Sequence, residues 1–319
     1  MPDGQNRTRR THDLRVRTLR ICTATTVAVA ALAACSTADT PLEAQAPSTQ
    51  AVMPASGPTA PPHKNRRATL ASALRPILLD GHAQLAVAVL DQDSADQQIM
   101  SFGQNATFNT ASIIKVGILA TLLLQAQDED RELTAAERQN AEEMIRTSDN
   151  EAATELWQAI GEAEGLDAAI ERLGLSSTYG GPDVRWGLTQ TTATDQVKLL
   201  RAVFSRGPMA ARPPEGLSQT SRAYIRDLMG QIAQDQDWGV SAASPQGSRC
   251  ALKNGWLQRS TDDLWVINSI GQVAVQGHRY LVSVLSGDNA SMKSGISLVE
   301  RAARAAIGAA SAHARQWPR

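Results

Sequence analysis

Hydrophobic and polar residues recur with two different periods between about residues 68 and 312. Apolar positions spaced three or four residues apart predict helices, whereas short runs rich in Val, Ile and Leu, bounded by polar turns, predict strands. The predicted helices cover residues 68–79, 111–124, 134–146, 150–160, 194–204, 221–233 and 291–309. The predicted strands cover residues 84–91, 97–102, 249–252, 265–275 and 280–285.

The predicted strands lie at the two ends of this region and flank a helical middle. This order favours an α+β fold in which the N- and C-terminal strands form one antiparallel sheet, packed against a helical subdomain. The helix 111–124 is apolar on nearly every side, so we expect it to be central and buried. Thr134 and Glu137 form a capping-box pattern, which predicts the start of the next helix.

A basic and then apolar segment precedes the folded region. Six arginines between residues 7 and 20 are followed by an apolar run from 21 to 34. This run is too short for a membrane span, which needs about 20 apolar residues, but it is typical of a secretory signal. It ends in Leu32-Ala33-Ala34-Cys35, which resembles the lipobox of bacterial lipoproteins. The alternative is an ordinary signal followed by an incidental cysteine.

These features predict a lipoprotein signal peptide at 1–34 and lipidation of Cys35. The protein would then be exported and lipid-anchored to the outer face of the bacterial cytoplasmic membrane. Residues 35–67 are mainly Ala, Pro, Ser, Thr and Gln, with too little apolar surface to fold, and they predict a flexible tether. One folded domain is expected over 68–319.

Charge and composition exclude several classes of function. The net charge is −1, and removal of residues 1–34 leaves about −5, so the basic face that nucleic-acid binding requires is not expected. The 5 histidines are scattered without metal-ligand spacing. Without the signal, Cys35 and Cys250 are the remaining cysteines, and lipidation of Cys35 leaves no internal disulfide. We expect a monomer without metal or cofactor, in contact with the membrane only through its anchor.

Three short polar clusters lie at the ends of predicted elements. In Ser112-Ile113-Ile114-Lys115 the amine stands one helical turn from the hydroxyl, where a lysine whose pKa is lowered by burial can activate a serine. Each cluster alone has a plainer interpretation: a helix cap here, a helix junction at Ser148-Asp149-Asn150 and a β-turn after a strand at Lys253-Asn254-Gly255. However, burying a lysine inside an otherwise apolar helix is unfavourable, so the presence of Lys115 there favours a functional role.

Together the clusters have the order Ser-x-x-Lys, Ser-x-Asn and Lys-x-Gly, which resembles serine β-lactamases and D-Ala-D-Ala transpeptidases and carboxypeptidases. The segments 107–119, 144–157 and 191–200 are similar to the corresponding stretches of class A β-lactamases. The resemblance covers about 68–309 and implies a β-lactamase-like catalytic domain. Lys293-Ser294-Gly295 also matches Lys-x-Gly, but it opens the terminal helix, whereas the family carries its triad on a strand.

The resemblance implies a role for each catalytic residue. Ser112 would be the nucleophile, Lys115 would help to take its proton, and Ser148 would pass a proton to the leaving nitrogen. Lys253 would supply positive charge for the substrate carboxylate and tune Ser148.

The same resemblance implies the binding residues. Asn150 would hold the amide side chain of the substrate. Backbone N–H groups of Ser112 and of Trp256, the residue after Gly255, would form the oxyanion hole.

The sequence departs from class A β-lactamases at three points. Asn254 replaces the hydroxyl residue that helps to bind the substrate carboxylate, so carboxylate recognition is expected to be altered. The interval between Ser112 and Ser148 is shorter, which predicts a more open cleft. The glutamate that activates the deacylating water is missing, and Asp183 is the only acid between residues 172 and 194. Asp183 is a candidate for that base, although a turn residue beside Gly180-Gly181-Pro182 is the simpler interpretation.

Three hypotheses follow. The first is a β-lactamase-family serine hydrolase, acylated at Ser112, that opens the β-lactam amide bond and deacylates slowly. The second is a D-Ala-D-Ala carboxypeptidase or esterase on the same scaffold. The third is a non-catalytic lipoprotein that binds cell-wall fragments, against which the intact serine and lysine motifs argue.

Overall fold

The computed structural model of the protein describes residues 64–78, 82–103, 106–205 and 216–316. The predicted signal peptide, Cys35 and the tether as far as residue 63 lie outside the described residues. The first described helix already begins at Lys64, so the last four residues of the predicted 35–67 tether are helical.

The described residues form helices and strands close to those predicted. The helices are α1 (Lys64–Leu78), α2 (Ile114–Asp128), α3 (Ala135–Arg146), α4 (Asn150–Ala159), α5 (Glu162–Arg172), α6 (Ala193–Phe204), α7 (Gln219–Met229) and α8 (Met292–Gln316). The strands are β1 (Gln84–Asp91), β2 (Ile99–Phe102), β3 (Phe108–Asn109), β4 (Gln190–Thr191), β5 (Ala251–Gln258), β6 (Trp265–Val275) and β7 (His278–Asn289).

One antiparallel sheet joins the two ends of the folded region in the order β2-β1-β7-β6-β5. Leu85 of β1 pairs with Ser286 of β7, and Lys253 of β5 pairs with Ile270 of β6. The predicted α+β fold, with a sheet made from N- and C-terminal strands, is therefore confirmed. A second, two-stranded sheet of β3 and β4 was not predicted.

Strand β1 shows how the layers are held together, because successive side chains of a strand point to opposite faces. Ala86 and Leu90 pack into the core built around α2 and the other central helices. Val87 and Val89 pack into the core that α1 and α8 form on the other face. The sheet is thus buried on both faces, with the helical subdomain on one side.

Helix α2 lies at the centre of the helical subdomain, as its apolar sequence predicts. The segment Ala111–Asp128 is long and apolar enough to cross a membrane, but 83% of it is buried inside the fold, which is how a core helix of a globular domain looks. The predicted capping box opens α3, with Thr134 Oγ1 accepting from Glu137 N at 3.2 Å and Glu137 Oε2 accepting from Thr134 N at 2.7 Å.

Two further elements differ from the prediction. Helix α5 was missed; it follows Gly161, whose φ of 87° ends the preceding helix, and it buries only Leu166, Ala169 and Ile170. Strand β5 runs from Ala251 to Gln258 instead of ending at residue 252. Lys253-Asn254-Gly255 therefore lies inside a strand and not in a turn after one.

Candidate active site

Ser112 lies in a short 3₁₀ helix, Ala111–Ile113, that leads directly into α2. The preceding Ala111 is buried and has a φ of 47°, a left-handed conformation that costs energy for a residue with a side chain. The Thr110 N–H donates to Thr189 O at 2.8 Å and helps to hold this turn. The Ser112 side chain is half-buried at the N-terminal end of the buried helix.

Lys115 joins the first two predicted motifs. Its side chain is fully buried, and Nζ donates to Ser148 O at 2.7 Å, Asn150 Oδ1 at 2.8 Å and Ser148 Oγ at 3.2 Å. These three atoms belong to Ser148, in the turn between α3 and α4, and to Asn150, the first residue of α4. The Ser112 hydroxyl is not among them, so Lys115 contacts the Ser-x-Asn motif directly while standing one helical turn from Ser112.

Ser148 joins the second and third motifs. Its backbone has a φ of 58°, again left-handed, and its Oγ also accepts from Lys253 Nζ at 2.9 Å. Lys253 donates in addition to Asn254 O at 3.1 Å. One serine hydroxyl therefore lies between two lysine amines, and all three sequence motifs meet around it.

The two lysines have unusual electrostatics because their amines are removed from water. Burial lowers the pKa of Lys115 to about 7, against the opposing effect of the Asp149 carboxylate. Burial, and then the nearby charge of Lys115, lowers the pKa of Lys253 well below its usual range. A neutral amine has a lone pair that can accept a proton from a hydroxyl. Near neutral pH the site therefore holds a base beside Ser148, one turn from Ser112.

Gly255 brings strand β5 directly against the Ser112 turn. A Cβ atom at this position would lie 2.8 Å from Ser112 N, 2.8 Å from Thr110 O and 2.9 Å from Ile113 N, all of them backbone atoms. Only glycine permits this approach. The close contact brings the backbone around Trp256 towards the Ser112 amide, as a shared oxyanion hole would require.

Asn254, at which we expect carboxylate recognition to be altered, has its side chain buried in the fold. Asn254 is 1% exposed, and its Nδ2 donates to Gln236 O at 2.8 Å and Trp238 O at 3.0 Å. Neighbouring side chains of a strand alternate between faces, so Asn254 anchors the 236–238 segment while Lys253 reaches Ser148. Lys253 is itself fully buried and acts on Ser148 instead of facing open solvent.

The Asp183 carboxylate faces solvent. Its side chain is 81% exposed and pairs with Arg185 at 3.3 Å, while its backbone oxygen accepts from Trp157 Nε1 at 2.8 Å. Its φ of 50° fits the turn residue that the neighbouring glycines and proline predict. The role of Asp183 as the base that activates the deacylating water stays a prediction, and its exposed carboxylate pairs with Arg185.

Trp186 is the site residue that the sequence analysis missed. Its ring lies over Lys115, with 4.8 Å between Nζ and the ring centroid, and its Nε1 donates to Thr154 Oγ1 at 3.2 Å. The sequence contained one indication of this role: Trp186 lies in a Gly- and Pro-rich loop, and a large apolar side chain in such a loop is expected to pack against another part of the fold. In the described part of the chain, no group of three or more His, Cys, Asp and Glu side chains is placed to hold a metal ion.

Comparison with known proteins places this geometry in context. Residues 134–314 match the sequence model of the beta-lactamase enzyme family. The chain is 28% identical over 193 residues to the protein LppW, named as a lipoprotein, from Mycobacterium tuberculosis and Mycobacterium bovis. The match covers 56% of this chain and 58% of LppW, so the chain spans little more than half the length of these curated relatives.

Solved structures share the fold. The TLA-3 extended-spectrum beta-lactamase superposes with a TM-score of 0.65 at 15% identity, covering 75% of this chain and 97% of that one. A mutant of PBP-A in an acyl-enzyme complex with penicillin G gives 0.63 at 21% identity, covering 80% of this chain and 100% of that one. At these identities the likeness concerns the fold alone.

Proposed function

Since this chain belongs to the beta-lactamase enzyme family, we propose that it is a serine hydrolase that forms an acyl-enzyme at Ser112, acts on β-lactams and deacylates slowly. The observation that carries the proposal is the Ser148 hydroxyl, which lies 3.2 Å from Lys115 Nζ and 2.9 Å from Lys253 Nζ. The fold alone does not require two buried lysines to converge on the Ser148 hydroxyl, whereas this arrangement suits the transfer of protons between Ser112 and the leaving nitrogen.

Acylation follows from this arrangement. Ser112 gives its proton to Ser148 Oγ, Ser148 gives its own proton to neutral Lys115, and Ser112 Oγ attacks the β-lactam carbonyl carbon. The oxyanion that forms accepts from the Ser112 and Trp256 N–H groups. The C–N bond then breaks, Ser148 gives its proton to the leaving nitrogen, and the proton held by the lysines restores Ser148. The product is an ester between Ser112 and the opened ring.

Deacylation needs a base that activates water beside this ester. The Ω-loop glutamate of class A enzymes is missing, and the Asp183 carboxylate faces solvent beside Arg185. General-base help contributes roughly 10²–10⁴-fold to such a step, so we expect the ester to persist. The PBP-A mutant held as an acyl-enzyme with penicillin G supports the idea that this fold can hold such an ester.

A burst of product followed by slow turnover tests this proposal. With a good penicillin, the time course is expected to release about one equivalent per enzyme before a slow steady state, because the second step lacks its base. Stopped-flow absorbance measures the burst, and mass spectrometry measures the mass added to the protein. Fast hydrolysis without a burst would show that another group deacylates Ser112.

The same mass-spectrometric experiment distinguishes the alternatives. A D-Ala-D-Ala carboxypeptidase or esterase remains a candidate because the Asp183 carboxylate is exposed and paired with Arg185, which does not suit a base for rapid β-lactam hydrolysis. Such an enzyme would turn over a D-Ala-D-Ala peptide or a small ester faster than a penicillin. Binding of cell-wall fragments without any adduct would instead support a non-catalytic lipoprotein.

We also propose that the protein is exported and lipid-anchored through Cys35 to the outer face of the cytoplasmic membrane. The support is the lipobox-like Leu32-Ala33-Ala34-Cys35 sequence and the likeness to LppW, which is named as a lipoprotein. A monomer reaching a small β-lactam or peptide substrate from this anchor needs no other membrane contact.

The proposed lipid anchor predicts that a Cys35→Ser substitution changes where the protein is found in the cell. The wild type should fractionate with membranes, whereas the variant should be released or stay unprocessed because it has no thiol to lipidate. Cell fractionation followed by immunoblotting measures both, and Cys250→Ser is the control because Cys250 lies in the folded domain. Equal release of the wild type and the Cys35 variant into the medium would exclude the anchor.

A further inference from the structure

Trp186 encloses the remaining side of the Lys115 amine. Lys115 Nζ has three polar partners where the turn after α3 leads into α4, and the Trp186 ring lies over it at 4.8 Å. A tetrahedral nitrogen bonded to its own Cε has only three further directions for polar partners. With those used and the ring above, the amine has little room for water.

The short 3₁₀ helix that carries this ring, Trp186–Leu188, lies directly against the Ser112 turn. A Cβ atom added to Gly187 would be 3.7 Å from Ala111 Cα. The backbone of this short helix therefore lies beside the Ser112 turn, while the ring of Trp186 lies over the lysine.

Several hydrogen bonds hold the loop from 179 to 190, so the segment that carries the Trp186 ring is well ordered by its own contacts. Tyr179 and Gln190 exchange two backbone hydrogen bonds of 2.9 and 3.0 Å, and Gly181 N donates to Thr189 Oγ1 at 3.0 Å. The Trp186 Nε1 donates to Thr154 Oγ1, which fixes the ring itself to α4. The loop contacts hold the backbone that carries Trp186, and the hydrogen bond to Thr154 holds the indole itself.

We propose that Trp186 is a positioning residue that seals the Lys115 amine against water and thereby keeps it available as the base that activates Ser112. This inference rests on the proposed function for the role of Lys115, but the sealing itself is a property of the fold. An indole face also attracts a cation, which acts in the opposite direction. Burial by all surrounding groups is the largest influence on the pKa of Lys115, and the ring contributes to that burial, so we expect the exclusion of water to outweigh this attraction.

The charged groups that face Lys115 stay in place when Trp186 is changed. Asp149 lies on the turn between α3 and α4, and Lys253 lies on β5. Neither contacts the indole by a hydrogen bond or an ion pair. A change in the titration of Lys115 in a Trp186 variant therefore reports the loss of the ring.

The test measures the titration of Lys115 by NMR in full-length protein labelled with ¹³Cε-lysine. Lys115→Arg assigns the resonance. In the wild type the resonance should titrate near 7, and in Trp186→Ala its midpoint should rise by at least about one pH unit toward the usual 10.5, because water reaches the amine. Trp186→Phe, which keeps a ring over the amine, should restore a midpoint close to that of the wild type.

The pH profile of penicillin labelling gives the second readout. In Trp186→Ala the rate at pH 7 should fall roughly tenfold for each unit by which the midpoint rises, and it should approach the wild-type rate at high pH. Thr154→Ala removes the hydroxyl that accepts from the indole at 3.2 Å and that also donates to Asn150 O at 2.9 Å. Alanine suits a helix, and this variant should show a smaller shift in the same direction. This variant keeps the test decisive if Trp186→Ala does not fold.

Unchanged midpoints in both Trp186→Ala and Thr154→Ala would overturn the sealing role. A rate that falls equally at every pH would also overturn it, because it would indicate a purely structural contribution. Failure of the wild type to form any adduct, with the NMR midpoints shifting as expected, would reject the proposed function while leaving the sealed lysine in place.

Discussion

Ser112→Ala is expected to abolish covalent labelling by a fluorescent penicillin while the protein stays folded. The variant lacks the only atom that the mechanism allows to attack the carbonyl, so the adduct should disappear completely, not merely form more slowly. Ser112 is half-buried in a 3₁₀ helix, and alanine is compatible with a helical backbone. Gel fluorescence and intact-protein mass spectrometry measure the adduct, and circular dichroism with thermal unfolding measures the fold.

Ser260→Ala is the matched control, because Ser260 is an exposed serine between β5 and β6, away from the lysines. It should label like the wild type. Peptide mapping of the wild-type adduct should locate it on Ser112. Labelling that persists in a folded Ser112→Ala protein would mean that the nucleophile is another residue and that the assignment of the first motif is wrong.

Lys115→Ala is expected to slow labelling by roughly 10²–10⁴-fold, the range that general-base help supplies. The sign of the pH dependence follows from the lowered pKa of Lys115, about 7, which burial causes. Below this pH the amine is protonated and cannot take the Ser112 proton, so the wild-type labelling rate should fall about tenfold per pH unit. Above it the rate should reach a plateau, and in Lys115→Ala the inflection near 7 should be lost.

Two variants separate the base from its charge. Lys115→Arg keeps a positive charge that is not released in proteins, so it should be as slow as Lys115→Ala if the lysine acts as the base. Lys293→Ala, at an exposed lysine of α8 within the other Lys-x-Gly sequence, should leave rate and pH profile unchanged. A Lys115→Arg variant that labels at the wild-type rate would show that charge alone is sufficient.

Local chemistry made several features predictable from the sequence. The apolar surface of α2 could be satisfied only by burial, and the Thr134–Glu137 capping box needs no tertiary partner, so both were confirmed. The spacing of Ser112 and Lys115 fixes their place on one helix. That Ser148 and Lys253 would come to the same point depended on the family resemblance, because no local rule brings residues so far apart in sequence together.

Other features could not be predicted because distant parts of the chain determine them. In the sequence, Asn254 is a polar residue next to a predicted site. In the structure, the carbonyl oxygens of Gln236 and Trp238 accept both of its amide hydrogens, a contact that the sequence does not indicate. Strand β5 continues past residue 252 because β6 pairs with it through Gln258, although Lys, Asn and Gly are poor strand formers. Trp186 lies in an irregular loop, where periodicity carries no information about what a side chain covers.

The pairing of the first and last strands has a consequence for how the protein folds. Strand β1 has β2 on one side and β7 on the other, with Leu85 opposite Ser286. Contacts between residues so distant along the chain require closure of a long loop before they stabilise anything, which slows folding. The helices α2–α7 can begin to associate through nearer contacts, but the sheet cannot close until the C-terminal strands have been made. The chain therefore keeps an incomplete sheet throughout its synthesis, which would suit the proposed export of the protein before it folds.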